Sequence, residues 1–318
     1  MLIVIALNDH LLAMTLQQLR AFLAVVDEGS FRAAARKLAI SQAGLTTAIQ
    51  SLERSLGQTL LQRSLRGANL TPAGHRLLPR AQLIEREAQR AADEAARADD
   101  APGELHVGVG PTPTALLLPR VVPDFRARFP NVSLRLTSGL HERIRPALQQ
   151  GLLDLALVAL PDGAEWPGQA RTRLFRSVLT VVGRQGHPLA DAEHLAELQD
   201  AHWVLLGNPG GPGGTVTRFF SEHGLPPPRV AATCETFTEV AALLSGTDWL
   251  ALVPQGIVQR GLIGLPVATI AVEEAPPGFD NYLLKPRQPA PTAAAEAFAG
   301  MCVSWARLIA QNNPAVTG

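Results

Sequence analysis

The sequence predicts an all-α winged helix-turn-helix near the amino end, then one long helix, then an α/β unit that runs from residue 104 onward. Three observations carry this prediction. Residues 31–57, FRAAARKLAISQAGLTTAIQSLERSLG, hold two apolar stripes at helical spacing: Phe31, Ala34, Ala35 and Leu38, then Leu45, Ile49, Leu52 and Leu56. Leu77, Ala81, Ile84, Ala88, Ala91 and Ala95 extend a third stripe with spacings alternating between four and three, a heptad seam. From Glu104 the chain alternates short apolar runs with amphipathic stretches, the pattern of strand and helix that builds α/β units with largely parallel sheets.

The first helix carries Leu16, Leu19, Phe22, Leu23 and Val26, and the stretch from Asp27 to Ser30 breaks it. Ser30 and Ser41 stand just ahead of the next two stripes as N-caps, Ala39-Ile40 is the short link, and Gly57 closes the second helix. The two stripes must face each other, which leaves Gln42, Ala43, Thr46, Thr47 and Gln50 pointing outward. Short donors, acceptors and methyl groups of this kind suit base edges and phosphates in a major groove. Arg32, Arg36, Lys37, Arg54, Arg63 and Arg66 surround the face against Glu53 alone, although lysine plus arginine and aspartate plus glutamate balance over the whole chain at 28 each. Nucleic-acid affinity is therefore confined to the amino end. The runs TLLQR and NLT around the turn Arg66-Gly67-Ala68 predict a β-wing whose arginine tip touches backbone phosphate.

These residues lead to a family. LQQLRAFLAVVDEGSFRAAARKLAISQAGLTTAIQSLERSLGQTLLQR, followed by LTPAG, closely resembles the amino-terminal domain of LysR-type transcriptional regulators. The resemblance continues at lower similarity through GLLDLALV, the histidine-proline step of GRQGHPLA, and ALVP ending at Pro254. It implies a non-enzymatic, cytoplasmic regulator that binds double-stranded promoter DNA, contacts RNA polymerase, and forms a homodimer that assembles to a homotetramer. The DNA-binding set it implies is Arg32, Ser41, Gln42, Ala43, Thr46, Thr47, Gln50, Arg54, Arg63 and Arg66. Where many members read Ser-Gln-Pro and then a Ser-Arg pair, this chain has Gln42-Ala43 and Thr46-Thr47, so a common arginine contact is missing and the operator sequence does not carry over.

The resemblance begins near Met14. The apolar run MLIVIAL before it has no basic flank and no small-residue cleavage site, and is too short for a membrane span. Residues 1–14 are thus expected to be an extension or a mis-assigned start, and no later stretch looks apolar enough to cross a bilayer. The winged module occupies 15–73. Thr71-Pro72 opens the linker helix of residues 72–100, with a cap residue followed by proline at the first helical position. Leu77, Ala81, Ile84, Ala88 and Ala91 are its dimerisation residues; an alanine-rich seam permits close approach but buries little area. Asp99 to Gly103 is the hinge.

Within residues 104–318, ELHVGV, NVSLRL, DLALVAL, SVLTVVG, HWVLL, DWLALV and NYLL read as strands, with helices near 114–129, 141–150, 214–223, 237–246 and 291–311. The last helix places Phe298, Met301, Cys302, Trp305, Leu308 and Ile309 on one core face. The unit is too long for one comfortable sheet and resembles the two-lobed type II periplasmic-binding-protein fold of LysR-type effector domains, with lobe I at about 104–178 and 280–310 and lobe II at about 179–275.

Ligands of open α/β sheets bind beyond the carboxyl ends of strands, where helix starts offer free N–H groups. Three stretches qualify. In GVGPTPT, residues 108–114, Thr112 matches a position where the family holds its effector and Thr114 is placed to cap the next helix. GNPGGPGGT, residues 207–215, brings Gly213, Gly214 and Thr215, without the lysine ending of a phosphate loop. CETFTE, residues 234–239, brings Thr236 and Phe237 at the start of a helix facing the cleft. Backbone donors with few cationic side chains predict a small carboxylate or sulfonate effector and no other cofactor.

Other chemistry finds no support in the sequence. GVG near residue 108 lacks the third glycine of a dinucleotide fingerprint, and there is no GxSxG or HExxH motif. The eight histidines show no metal-ligand spacing. Cys234 and Cys302, far apart and outside any CxxC, read as core thiols.

Overall fold

The computed structural model describes residues 14–64, 67–96, 103–160, 166, 168–209, 213–261, 267–287, 291–312 and 316–317. Contacts divide the chain into two units, Met1–Ala101 and Pro102–Gly318. The extension at 1–13, the wing tip at 65–66 with Arg66, and the hinge at 97–102 lie outside the described residues.

In the first unit, α1 (Leu16–Glu28), α2 (Phe31–Lys37) and α3 (Gln42–Leu56) form where the stripes predict. Thr15 caps α1 through a reciprocal box with Gln18, and the Ser30 and Ser41 hydroxyls accept from the Ala33 and Gly44 amides. Gly57 ends α3 at φ 62°, a left-handed conformation that costs glycine little. The stripes meet as required: Leu19, Phe22 and Val25 of α1, Ala34 and Ala35 of α2, and Leu45, Ile49 and Leu52 of α3 form one buried cluster. A hydrogen bond from Gln18 Nε2 to Ser51 Oγ, 3.1 Å, pins α1 to α3.

The wing is an antiparallel pair, β1 (Leu61–Ser64) and β2 (Gly67–Leu70), with Leu61 opposite Leu70 and Ser64 opposite Gly67. Gly67 and Ala68 thus belong to a strand and not to the turn. Ala68 N donates to Gly29 O at 2.8 Å, tying the wing to the end of α1. Thr71 caps α4 (Pro72–Ala96) by accepting from Gly74 N at 3.0 Å and also donates to Thr59 O at 2.6 Å.

The seam of α4 divides. Ala81 is fully buried in the cluster that holds α1 to α3, which removes it from a partner's reach, and Leu77 packs half-buried against the same cluster. Ile84 is exposed at 39%, and Ala88 and Ala91 also lie outside that cluster.

The second unit contains β3 (Gly103–Val109), α5 (Pro111–Leu116), α6 (Leu118–Arg128), β4 (Val132–Ser138), α7 (His141–Gln149), β5 (Leu155–Leu160), β6 (Gln169–Ser177), β7 (Leu179–Arg184), β8 (His202–Leu206), α8 (Gly214–Glu222), β9 (Arg229–Cys234), α9 (Phe237–Ser245), β10 (Trp249–Pro254), α10 (Gln255–Gln259), β11 (Val267–Ile270), β12 (Phe279–Pro286), α11 (Ala293–Asn312) and β13 (Val316–Thr317). One sheet has the order β13-β6-β12-β5-β3-β4 and the other β11-β7-β10-β8-β9. The chain leaves the first at Ser177, enters the second at Leu179 and returns between Ile270 and Phe279.

The sheets are mixed, which corrects the expectation of largely parallel ones. β3 runs parallel to β4 and β5, and β8 parallel to β9 and β10, but β6, β7, β11, β12 and β13 all pair antiparallel. The crossing strands cause this, because a chain that passes directly from one sheet to the next without a helical crossover enters antiparallel to its neighbours. QARTRLFRS and RVAATC were not legible as strands; their exposed positions break the apolar run. The helix expected at 114–129 is two, α5 and α6, which meet at Leu117.

Helix α11 buries Ala295, Phe298, Ala299, Cys302, Ala306 and Ile309 in the main core, with Phe298 edge-on to Phe125 at 5.2 Å. Leu308, expected on that face, is 45% exposed. Residues Ala293–Gln311 also reach the length and apolarity of a membrane span, with mean hydropathy 1.2, contrary to the expectation that no later stretch does. A third of that window is buried, on the face that packs into the main core.

One backbone feature of the first unit can be tested. Ala39, in the α2–α3 link, has φ 53°, a conformation that costs a residue with a Cβ about 1–2 kcal/mol. Because Ala39 is exposed, removing its methyl costs no packing. Ala39→Gly should therefore stabilise the unit by roughly 0.5–1 kcal/mol after the greater freedom of glycine in the unfolded chain is subtracted. The check is a higher urea midpoint at unchanged slope.

Candidate DNA-reading face and effector cleft

Helix α3 can be built outward from its buried stripe. With Leu45, Ile49 and Leu52 inside, the 3.6-residue period leaves Gln42, Ala43, Thr47 and Gln50 exposed together with the cap Ser41. Thr46 is half-buried and its hydroxyl donates to Gln42 O at 2.9 Å. What Thr46 offers outward is therefore a methyl and an acceptor, not a free donor. Arg32, Arg36 and Arg54 are exposed.

Two of the nearby charges are committed elsewhere. Lys37 lies 3.1 Å from Glu28 and 3.5 Å from Asp27, and the hydrogen bond to Glu28 chiefly holds its ammonium above the ordinary lysine range. Glu53 turns inward, accepting from Leu60 N at 2.7 Å and Leu61 N at 3.2 Å. The sequence count had set six basic residues against Glu53 alone. Asp27 and Glu28 in fact offset Lys37, while Glu53 braces the wing. Of the wing arginines, Arg63 lies on β1 opposite Ala68.

In the second unit a cleft of about 290 Å³ opens at the carboxyl ends of β3, β4, β8 and β10. α5, α7, α8 and α10 follow those strands, and residues at the start of each, Gly110 to Pro113, Leu140 and His141, Gly213 to Val216, and Pro254, line the space. None of these four helices has a side-chain cap; α5 begins with Pro111 and the first amide of α10, Gln255 N, donates to Val178 O at 2.9 Å, so it is the starts of α7 and α8 whose first N–H groups are left to other acceptors. Thr112 is 3% exposed, and its hydroxyl has no hydrogen-bond partner among the described residues. Arg218, one turn into α8, is the cation of the lining, and among the described residues no aspartate or glutamate lines the cleft.

Gly213 and Gly214 have a structural reason besides the ligand. A Cβ on Gly213 would run into the carbonyl oxygen of Gly207, and one on Gly214 into that of Pro209. The glycines let the loop after β8 fold back on itself and deliver the α8 start to the cleft.

The structure brings Thr112, Gly213, Gly214 and Thr215 together but not the other three expected effector residues. Thr114 is inside α5, donating to Gly110 O at 2.9 Å, because the helix begins at Pro111. Thr236 caps α9, accepting from Glu239 N at 3.2 Å, while the Glu239 carboxylate accepts from the Glu235 and Thr236 amides. Phe237 is buried with Val240 and Leu244 in the main core.

Sequence reasoning missed His141 and Arg218. The signal for His141 was present, since TSGLHER joins a strand to a helix as GVGPTPT does. His141 has a side chain 13% exposed, with Nδ1 enclosed and 3.3 Å from Glu142 Oε2 but unaligned for a hydrogen bond. Burial holds this imidazole below its ordinary range; the Glu142 carboxylate opposes that shift and the Arg145 guanidinium adds to it.

Cys234 and Cys302 are free thiols in the main core, and burial pushes both up. Among the described residues no group of three or more histidine, cysteine, aspartate or glutamate side chains could hold a metal ion.

The assignment of Thr236 as a cap separates two roles. Thr236→Ala should cost about 1 kcal/mol of stability by removing the capping hydroxyl and leave ligand affinity at the cleft unchanged. Denaturation together with calorimetric titration would show it.

Comparison with known proteins agrees over both units. Residues 16–75 match the family model described as bacterial regulatory helix-turn-helix protein, lysR family, and residues 98–307 match the LysR substrate binding domain. A Mycobacterium xenopi protein named as a probable hydrogen peroxide-inducible genes activator is 37% identical over 177 residues, 55% of this chain and 93% of that protein. Its Mycobacterium leprae namesake is 36% identical over 63% of this chain, a match that spans only 64% of that relative. The structure of full-length CbnR complexed with its target DNA superposes with a TM-score of 0.69 at 25% identity, covering 92% of this chain and all of CbnR. With both domain models matched across most of its length, the chain belongs to the LysR family of DNA-binding transcriptional regulators.

Proposed function

We propose that this regulator reads promoter DNA through the Gln42–Gln50 face of α3 and responds to a small organic anion held in the cleft of its second unit. The observation that carries the effector half is the lining: the uncapped starts of α7 and α8, the Thr112 hydroxyl and Arg218, which also lies 3.8 Å from Glu222, converge in a space with no aspartate or glutamate among its described lining residues. Helix starts carry partial positive charge and unbonded N–H groups, so a carboxylate or sulfonate is the matching ligand. The apolar remainder, including Val158, Leu206 and Phe279, suits a compact organic body.

Two chains would pair through the stripe of Ile84, Ala88 and Ala91 on α4, and pairs would associate into a tetramer, placing two α3 helices on the half-sites of one operator in the cytoplasm. Effector binding would then alter how the reading helices are presented to DNA and RNA polymerase. Some relatives are named for induction by hydrogen peroxide. Sensing through a thiolate needs an accessible, acidified cysteine; Cys234 and Cys302 are buried with raised pKa, which favours ligand binding in the cleft over thiol chemistry.

Two experiments test the two halves. Gln42→Ala should cost roughly 1–3 kcal/mol at one base pair of the chain's own upstream operator and little on random DNA, whereas Arg54→Ala should weaken both alike and lower the salt slope by about one. Equal losses for Gln42→Ala on both DNAs would refute base reading. For the cleft, an acid present at a hundred times its Kd should stabilise the protein by about 2.7 kcal/mol in a thermal-shift panel. Thr112→Val should weaken it about tenfold by removing a hydrogen bond to a charged group.

A further inference from the structure

We infer that His141 is a specificity-determining residue of the cleft, its Nε2 accepting a hydrogen bond from the ligand, so that the preferred effectors are organic acids that also carry a hydroxyl or N–H donor. This rests on the anionic-effector reading and adds a second requirement to it.

The polar inventory of the lining carries the inference. Arg218 can only donate, and so can the backbone N–H groups at the starts of α7 and α8. The Thr112 hydroxyl can do either, but beside an anion it orients to donate. No asparagine, glutamine, aspartate or glutamate lines the cleft among the described residues. His141 is thus the side chain in the lining with an atom that must accept when the ring is neutral.

The geometry decides which atom that is. Nδ1 is enclosed by protein without a hydrogen bond and lies 3.3 Å from the Glu142 carboxylate, whose charge repels a bare lone pair on Nδ1 and favours the N–H form there. Nδ1 therefore carries the ring hydrogen, and Nε2 is left as a bare acceptor for whatever enters the cleft. Burial keeps the ring neutral near pH 7, so the acceptor persists at physiological pH. The ring is also well placed. Gly139 N donates to Val109 O at 3.2 Å, tying the turn before α7 to the strand end that leads to Thr112. An acid gripped at the helix starts would present its second polar group towards His141, and a ligand without a donor would leave Nε2 desolvated and unpaired, which is costly.

The test is calorimetric titration of the full-length protein with acid pairs that differ by one hydroxyl: benzoate against 3-hydroxybenzoate, succinate against malate, and butyrate against 3-hydroxybutyrate. The hydroxylated member of at least one pair should bind roughly tenfold more tightly to the wild type. His141→Leu should abolish that difference while keeping the affinity of the plain acid, and His141→Gln, which restores an acceptor, should recover part of it. Acids that bind with equal affinity within every pair, or a preference that survives His141→Leu, would overturn the role of His141 and leave the anionic cleft standing. Failure of every acid to bind would overturn the cleft reading and this inference together. The wild-type comparison stands even if a variant does not fold.

Discussion

The architecture of the second unit depends on one constraint: a strand that feeds a helix in an α/β sheet must turn at its carboxyl end. β3, β4, β8 and β10 all do so, and in each sheet the strands concerned run parallel to a neighbour. Four helix starts are therefore delivered to one edge of two sheets, and those of α7 and α8 turn uncapped N–H groups and partial positive charge towards a common space. The cleft is a consequence of strand direction before it is a matter of individual side chains. The antiparallel strands β6, β7 and β12 carry the chain out of one sheet and back, and so allow two such edges to face each other.

The first unit rests on a different balance. Burying the stripe of Leu45, Ile49 and Leu52 against α1 and α2 contributes several kcal/mol, since truncating one such leucine costs about 2–5 kcal/mol. Each serine cap contributes about 1 kcal/mol. Packing holds the helices, and the caps set where they begin, which together decide the residues that face outward. The seam of α4 shows the same priority. Leu77 and Ala81 satisfy the core of their own chain first, and only the part of the helix beyond them remains available.

Local electrostatics follow from these placements. Lys37 counted towards the basic surface until the end of α1 brought Asp27 and Glu28 to it, and Glu53 counted as an opposing acid until the wing turned its amides towards it. Counting charges along the chain could find the basic surface, but pairing them required three dimensions. The cleft shows the same division. Thr112 and the glycine loop announce themselves by following a strand, whereas Arg218 is one arginine among many until α8 turns it to the lining. Thr236 carried the same signal as Thr112, yet its hydroxyl is spent on capping α9 and the ring beside it is drawn into the core.

By itself the sequence determined the periodicities, and with them the helix-turn-helix, its caps, its outward face, the wing and the long helix. These features are local, set by repeats of two or 3.6 residues and by serine, glycine and proline at fixed offsets. Tertiary structure alone decided the direction of the crossing strands, the packing of Leu77 and Ala81 against their own chain, and the gathering of His141 and Arg218 with Thr112. Each depends on which distant segments meet, and a linear pattern carries no record of that.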